Sequence, residues 1–366
     1  MAEQRVLLAY RDRLFPPSEV AFLRRQYIGF SRLSPLWVGR HREPGPVPEG
    51  MALGPLLTGA QGLVYKQFGL VPGLERFRQL SPVCVHAQFG RGGALALPLA
   101  RALGVPLVVT FHGSEVDKAS YYRWFPVPSV FRLRLERLKA EAGAFVCISQ
   151  NARERLLARG FPAEKTHALP IGTDMISPVP RVAAGEGVLF IGRFAEMKGI
   201  PVLIEAMRRL RAQGCEAPLT LIGDGPLYAE TTQAAASVPG LRFMGWQNQN
   251  EVRAALAGAR LLCVPSVITA GGESEGLPSV AMEAMGLGVP LVASSEARVE
   301  GLVVPEETGV IFPARDAAAL ADALARLLAR PDLGLRMGEA ARMHVQARFN
   351  AALQSRALED LLLRLC

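Results

Sequence analysis

Twice along this chain, short continuous apolar runs alternate with amphipathic segments, and that alternation leaves few architectures open. A run such as Val188-Leu189-Phe190-Ile191 or Leu261-Leu262-Cys263-Val264 has no polar side to turn to water, so both of its faces must be covered. Helices between successive runs supply the cover, which makes the strands parallel and the class α/β, doubly wound. In the first half the pattern predicts strands at Arg5–Tyr10, Pro35–Arg40, Val83–Phe89, Val105–His112, Ala144–Ser149 and Thr166–Gly172. Helices are expected near Ser18–Gly29, Gly92–Leu103, Ser129–Ala142 and Asn151–Arg159. In the second half the predicted strands are Val188–Arg193, Leu219–Gly223, Leu241–Trp246, Leu261–Pro265, Leu291–Ser294 and Gly309–Phe312. Their helices fall near Pro201–Gln213, Leu227–Ser237, Asn248–Gly258, Pro278–Gly286 and Asp316–Arg330. Between the halves, Asp174–Gly187 carries Pro178, Pro180, Gly185 and Gly187 without an apolar period, and reads as a linker. The expected organisation is a Rossmann-like domain over 1–173, a linker over 174–187, a second such domain over 188–349, and a closing amphipathic helix over 350–366.

Composition narrows the function classes. Of 366 residues, 50 % are hydrophobic and 20 % charged, enough apolar surface to offset the entropy of ordering, so a mainly disordered chain is excluded. The most apolar stretch, Ala94–Phe111, is interrupted by Arg101, Pro98 and Pro106, which leaves no spanning segment. The start, Met1–Arg5 leading into Val6–Tyr10, is too short for a secretory leader, and a cytoplasmic protein is expected. Cys84, Cys147, Cys215, Cys263 and Cys366 form no CxxC pair, and three of them lie inside apolar strand-like runs, which reads as small buried hydrophobes in a reducing compartment. The histidines have no metal-ligand spacing, so no metal site is expected. A net charge of +8 suggests anionic partners. Nucleic acid is not expected, because no helix-turn-helix, zinc finger or RNP stretch is present.

Ligands of doubly wound sheets bind outside the carboxyl ends of the strands, so the residues after each strand carry the chemistry. The strongest signal is Glu275-Gly276-Leu277-Pro278-Ser279-Val280-Ala281-Met282-Glu283. Pro278 suits a first helical position, and the amides of Gly276, Leu277, Ser279 and Val280 would lie at a helix start, a ready site for phosphate. Two carboxylates beside such a site suit a phosphorylated sugar, whose hydroxyls need acceptors; taken alone, they also fit a helix with acids near its positive end. Arg193 and Lys198 follow the first strand of the same half, and an Arg fork with a Lys point charge is a usual diphosphate grip. Gly223-Asp224-Gly225 is a glycine turn but only half of a dinucleotide fingerprint, which argues against NAD. His86 and His112 occupy strand ends of the first half, where a hydrogen-bonded structural role competes with a place at a ligand. In the segment 121–139, aromatic Tyr121-Tyr122-Arg123-Trp124-Phe125 precedes a basic, Leu-rich helix with Arg132, Arg134, Arg137 and Lys139. That segment suits an anionic membrane surface, or equally an ordinary packed helix with a solvated basic face.

Taken together, these residues resemble the family 4 (group 1) retaining glycosyltransferases of the GT-B fold. The Glu275-to-Glu283 spacing, Arg193 with Lys198-Gly199, Gly223-Asp224-Gly225 and Phe111-His112-Gly113 fall in that family's order. Pro265-Ser266, Thr269–Ser274 and His86-Ala87-Gln88-Phe89-Gly90 are similar to the subset that builds bacterial exopolysaccharides, including colanic-acid-type enzymes. The resemblance implies two Rossmann-like domains facing a central cleft and a nucleoside-diphosphate sugar as donor substrate, with no cofactor. It implies a saccharide acceptor, lipid-linked in that subset, and a location at the inner face of the cytoplasmic membrane. It further implies that Arg193 and Lys198 hold the donor diphosphate and that Glu283 accepts the ribose hydroxyls. Glu275, with the Gly276 and Leu277 amides, would hold the transferred sugar, which His112 helps to orient; Gly223 and Gly225 would lie near the nucleotide. Two departures stand out. Tyr10 is followed by Arg11-Asp12-Arg13-Leu14-Phe15-Pro16-Pro17 rather than a glycine-rich loop, with Ser18-Glu19 and Phe22 in its place, and Ser294–Glu300 lacks the usual Gly and Pro. The rival readings are a nucleotide-sugar epimerase and a non-catalytic sugar-nucleotide binder.

Overall fold

The computed structural model of the protein describes residues 4–118, 122, 128–174, 185–236 and 238–366. The chain divides into two compact units, one of Met1–Gly172 with Ala351–Cys366 and one of Thr173–Asn350. The strands of the first unit are β1 (Arg5–Tyr10), β2 (Arg13–Leu14), β3 (Leu33–Gly39), β4 (His41–Arg42), β5 (Ala52–Leu56), β6 (Cys84–Gln88), β7 (Leu107–Phe111), β8 (Ala144–Cys147) and β9 (Thr166–Ala168). Among the described residues, seven of them form a parallel sheet in the order β5-β3-β1-β6-β7-β8-β9, and β2 pairs with β4. The second unit contributes β10 (Glu186–Ile191), β11 (Leu219–Ile222), β12 (Leu241–Phe243), β13 (Ala259–Val264), β14 (Leu291–Ser294) and β15 (Gly309–Phe312). These form a parallel sheet in the order β12-β11-β10-β13-β14-β15. In each sheet the order reverses beside the first strand, at β1/β6 and at β10/β13, where doubly wound folds open a crevice.

Both faces of each sheet are covered, which is why the strands are apolar throughout. Along β1, Leu8 and Tyr10 join one core while Leu7 and Ala9 join the other. Along β10, Val188 and Phe190 point one way and Leu189 the other. Side chains close the helix starts: Ser129 Oγ accepts from the Arg132 amide (3.1 Å), Ser149 Oγ from the Ala152 amide (3.1 Å), and Asn248 with Glu251 forms a reciprocal capping box.

The closing helix, Ala351–Leu365, packs on the first unit, with Leu358, Leu361 and Leu362 in the Leu7 core. Glu359 carries the polar part of this contact. Its Oε1 accepts the backbone amides of Ser31 (2.9 Å), Arg32 (2.7 Å) and Leu33 (2.8 Å) where the chain enters β3. Burial works against the Glu359 charge, but these amides and the Arg32 guanidinium more than offset it and hold the carboxyl below its ordinary range.

Several elements exceed the sequence expectation. β5 contains Gly54 and Pro55 and lies at the sheet edge, where a missing N–H is tolerated. The helix Gly59–Phe68 has two glycines in its first turn, and Pro331–Arg348 carries Gly334 and Gly338, so neither shows a clean apolar stripe. Except in β1, β14 and β15, strand ends fall one to four residues earlier than the apolar runs, because the last residues leave the ladder to form turns; His112 follows β7, and Arg193 follows β10. Within the expected linker, Glu186 and Gly187 belong to β10, Thr173 joins the second unit through its amide on Phe349 O (2.8 Å), and 175–184 lie outside the described residues.

Candidate functional site

At the β10/β13 reversal of the second unit, the turn after β10 folds back onto the end of β13. The 3-10 turn Glu196–Lys198 ends at Gly199, whose φ of 62° only glycine adopts without strain, and a Cβ there would stand 1.9 Å from Pro265 O. The close approach, secured by the Val267 amide on Met197 O (2.8 Å), sets Lys198 against the residues that follow β13. Its Nζ lies 2.5 Å from Glu275 Oε1, which also accepts the Ser266 hydroxyl at 2.8 Å. Ser266 is tied down by the Ser294 hydroxyl, which donates to Ser266 O. Glu275 is 7 % exposed, so its charge is compensated by Lys198 and Ser266 rather than by bulk water.

Gly276 and Leu277 lead from this carboxylate to the helix Ser279–Gly286. Pro278 is the cap of that helix (φ −67°, ψ 111°) instead of its first residue, since its ψ is extended. The helix start is therefore one residue later than expected, with the Ser279 and Val280 amides in its first turn. Glu283 lies partly buried on the second turn. Arg193 is exposed, and among the described residues it makes no bond to the Lys198–Glu275 pair. The structure thus brings Lys198, Glu275 and Ser266 into one cluster, with Arg193 on the same loop making no bond to it among the described residues and Glu283 on the adjoining helix. Sequence reading assigned Ser266 no role; its position two residues after β13 was the signal available.

Gly223 and Gly225 have a packing reason of their own. At Gly223 φ is 133°, and a Cβ would lie 1.9 Å from Gly192 O. The turn laces onto the loop after β10 through the Phe194 amide on Asp224 O (2.9 Å) and the Leu227 amide on Phe194 O (3.0 Å). These glycines hold the Arg193 loop against its neighbour whatever ligand approaches.

In the first unit, His86 and His112 belong to one buried polar chain. His112 Nε2 meets Gln88 Oε1 (2.9 Å), Gln88 Nε2 donates to the Tyr27 hydroxyl (2.8 Å), and Tyr27 meets His86 Nδ1 (2.8 Å). His86 Nε2 faces Thr110 Oγ1 (2.7 Å), which also accepts Gln26 Nε2 (3.0 Å). Phe89 and Phe22 flank His112, with centroids 4.3 and 5.0 Å away, and Arg11, paired bidentately with Glu19, covers Phe89. His86 is fully buried and structural. Burial pushes both imidazoles down to about 3; nearby Arg11 adds to the shift of His112. Glu115, whose Oε1 accepts the His112 amide (2.8 Å), is pushed up to about 7 by burial.

The signs of these shifts fix a pH dependence. Between about pH 3 and 6.5 the unfolded histidines bind protons that the folded ones refuse, so stability rises with pH. Between about pH 4.5 and 7 the folded Glu115 keeps a proton that the unfolded chain has lost, so its contribution falls with pH. Two histidines against one carboxyl leave a net rise of about one proton, or ~1.4 kcal/mol per pH unit, from about pH 4.5 to 6.5. His167, held down by partial burial, acts in the same direction. Urea midpoints at several pH values measure this slope, and the double variant His86→Gln/His112→Gln is expected to reverse its sign, leaving the Glu115 contribution, which His167 offsets only in part; an unchanged slope contradicts the account.

The basic helix of the first unit, Val130–Glu141, turns Phe131, Leu135 and Leu138 to the core, and Arg134 donates to Ala94 O and Lys66 O. Leu133 and Arg137 are its exposed apolar and basic residues. The aromatic run before it lies, except for Tyr122, outside the described residues. Among the described residues no helix is long and apolar enough to cross a membrane, and no group of three or more His, Cys, Asp or Glu could hold a metal.

Comparison with known proteins agrees with this layout. The family profile "Glycosyl transferases group 1" matches residues 185–330, and "Glycosyltransferase Family 4" matches 40–175. The amylovoran biosynthesis glycosyltransferase AmsK of Erwinia amylovora is 32 % identical over 286 residues, covering 76 % of this chain and 69 % of that protein. The putative colanic acid biosynthesis glycosyltransferase WcaL of Escherichia coli (strain K12) is 31 % identical over 252 residues; the match spans 65 % of this chain but 60 % of the relative. Among solved structures, Anabaena Alr3699/HepE in complex with UDP and glucose superposes with a TM-score of 0.76 over 99 % of this chain and 100 % of that one, at 16 % identity, a likeness of fold.

Proposed function

Because this chain belongs to the group 1 and family 4 glycosyltransferases, with two Rossmann-like units of the GT-B kind, we propose that it moves a sugar from a nucleoside-diphosphate sugar to a hydroxyl of a saccharide acceptor, with retention at the anomeric carbon. The product belongs to cell-surface polysaccharide synthesis, as the names of the relatives suggest. The observation that carries this reading is the Lys198–Glu275–Ser266 cluster at the β10/β13 reversal, beside the start of the helix Ser279–Gly286. Glu275 takes up one of the ammonium's three N–H donors and fixes its position; the remaining donors suit a diphosphate. Arg193, exposed on the same loop, adds a second cation. As the glycosidic bond breaks, negative charge grows on the departing diphosphate, and cations already in place stabilise it without reorganisation. A phosphate oxygen of the leaving group takes the acceptor's proton in this mechanism, so no separate base is required. Glu275 with the Gly276 and Leu277 amides is assigned to the transferred sugar, Glu283 to the ribose, the Gly223–Gly225 turn to the nucleotide, and His112 to a sugar hydroxyl. The relatives described are glycosyltransferases, so the epimerase and the non-catalytic binder are not favoured.

A thermal-shift panel of UDP-, GDP-, ADP- and TDP-sugars tests the donor assignment. The cognate donor at 100 times its Kd should stabilise the protein by about 2.7 kcal/mol, and release of its nucleotide should require an added saccharide. A panel with no shift, or nucleotide release independent of any acceptor, would overturn the reading. The acceptor is proposed to be lipid-linked and met at the inner face of the cytoplasmic membrane. Sedimentation with anionic liposomes at low salt is then expected, and should weaken when Arg132, Arg137 and Lys139 are neutralised; a protein that stays in the supernatant removes that part of the proposal.

A further inference from the structure

The buried chain behind His112 has a direction, and the direction determines which nitrogen of that ring holds the proton. A neutral imidazole has one donor and one acceptor nitrogen, and each partner along the chain constrains the choice. Gln88 turns its carbonyl to His112 Nε2 at 2.9 Å and its amide nitrogen to the Tyr27 hydroxyl at 2.8 Å. An amide oxygen can only accept, so His112 donates through Nε2. Tyr27, having accepted from Gln88, has one proton to give, and His86 Nδ1 lies 2.8 Å away. Phenol to imidazole is the favourable sense, because the ring nitrogen is the stronger base. His86 then carries its proton on Nε2, facing Thr110 Oγ1 at 2.7 Å. Every donor from His112 to His86 meets an acceptor, and His86, Gln88 and Thr110 are wholly buried, so no water competes.

At the far end, His112 Nδ1 makes no hydrogen bond among the described residues and is not among their buried polar atoms left without a partner, so it lies at the small part of this residue, 7 %, that is exposed. We propose that Gln88 is a positioning residue of this transferase: with Tyr27 and His86 it holds His112 as the neutral Nε2–H tautomer, leaving Nδ1 as a fixed acceptor for one hydroxyl of the transferred sugar. This rests on the assignment of His112 to the donor sugar and adds the polarity of that contact. Toward the sugar the ring accepts a hydrogen bond from the hydroxyl; it neither donates to the sugar nor carries charge. A donor whose hydroxyl at that place is replaced by hydrogen or a methoxy group loses the contact.

Long-range proton–nitrogen correlation spectra of the full chain, recorded without substrate, read the tautomer directly, with the His112 signals identified by their loss in His112→Asn. The expected wild-type pattern is neutral, protonated on Nε2, and unchanged from pH 5 to 8. In Gln88→Met the two tautomers should mix, and kcat should fall by about tenfold or more while the donor KM stays near its wild-type value. Gln88→Glu, which keeps an acceptor facing Nε2, should restore the Nε2–H signal. A wild-type His112 protonated on Nδ1 or titrating in this range overturns the proposal, even if the variants fail to fold. So does a folded Gln88→Met with wild-type tautomer and kcat. Absence of transfer from any donor would instead strike the proposed function, and wild-type transfer by His112→Asn would strike the sugar assignment on which the positioning role depends.

Discussion

Lys198→Ala is expected to lower turnover by about 10²–10³, the loss of 2.7–4 kcal/mol typical of one preorganised charge contact to a transition state. Two effects contribute in the same direction. The ammonium assigned to the departing diphosphate is gone, and Glu275, 7 % exposed, keeps only Ser266 as a side-chain partner. An uncompensated carboxylate in that position repels the incoming diphosphate and lowers stability as well. Arg193→Ala separates the two effects, because Arg193 is exposed and its side chain makes no hydrogen bond or ion pair among the described residues. Its variant should lose turnover over a similar range while its urea midpoint stays at the wild-type value. Lys198→Ala/Glu275→Gln should recover stability relative to Lys198→Ala but not activity. Steady-state transfer rates together with denaturation midpoints decide the matter, and near-normal turnover in both single variants would reject the diphosphate assignment.

The largest effect on stability is expected at Glu359. Glu359→Ala removes the acceptor of three backbone amides, those of Ser31, Arg32 and Leu33, at a side chain that is 1 % exposed. A buried donor left unpaired costs about 1–3 kcal/mol; the Leu33 amide is such a donor while Ser31 and Arg32 lie at exposed positions, so the variant should lose about that amount. The helix Ala351–Leu365 should then detach, exposing Leu358, Leu361 and Leu362 and becoming sensitive to proteases. Glu359→Gln, which retains an acceptor oxygen but not the charge, should fall between wild type and alanine. The carboxyl is depressed in the folded protein, so its contribution is present above the ordinary glutamate range and disappears as pH falls through the folded value. A loss of less than about 1 kcal/mol for the alanine variant would show that water replaces the carboxylate there.

How far the fold was legible depends on whether a segment carries its own reason for its structure. β1, β14 and β15 coincide with their apolar runs, since a strand buried on both faces has no alternative composition. β5 and the helices Gly59–Phe68 and Pro331–Arg348 were missed because edge position and glycine-mediated packing, not local pattern, hold them. Pro278 was misplaced by one residue, because its φ suits either a cap or a first turn and only its ψ distinguishes them.

The same division runs through the candidate site. The order of Arg193, Lys198, Gly223, Glu275 and Glu283 behind parallel strands, together with Phe111-His112-Gly113, resembled one family, and the comparisons show that family. The ion pair between Lys198 and Glu275, the place of Ser266, and the reach of Glu359 to the entry of β3 became visible only in three dimensions. So did the sense of the chain from His112 to Gln26. Residue type and spacing along the chain state which groups are available; distance and burial state which of them meet. Contacts between residues tens or hundreds of positions apart are set by how the whole sheet packs, and no local pattern encodes them.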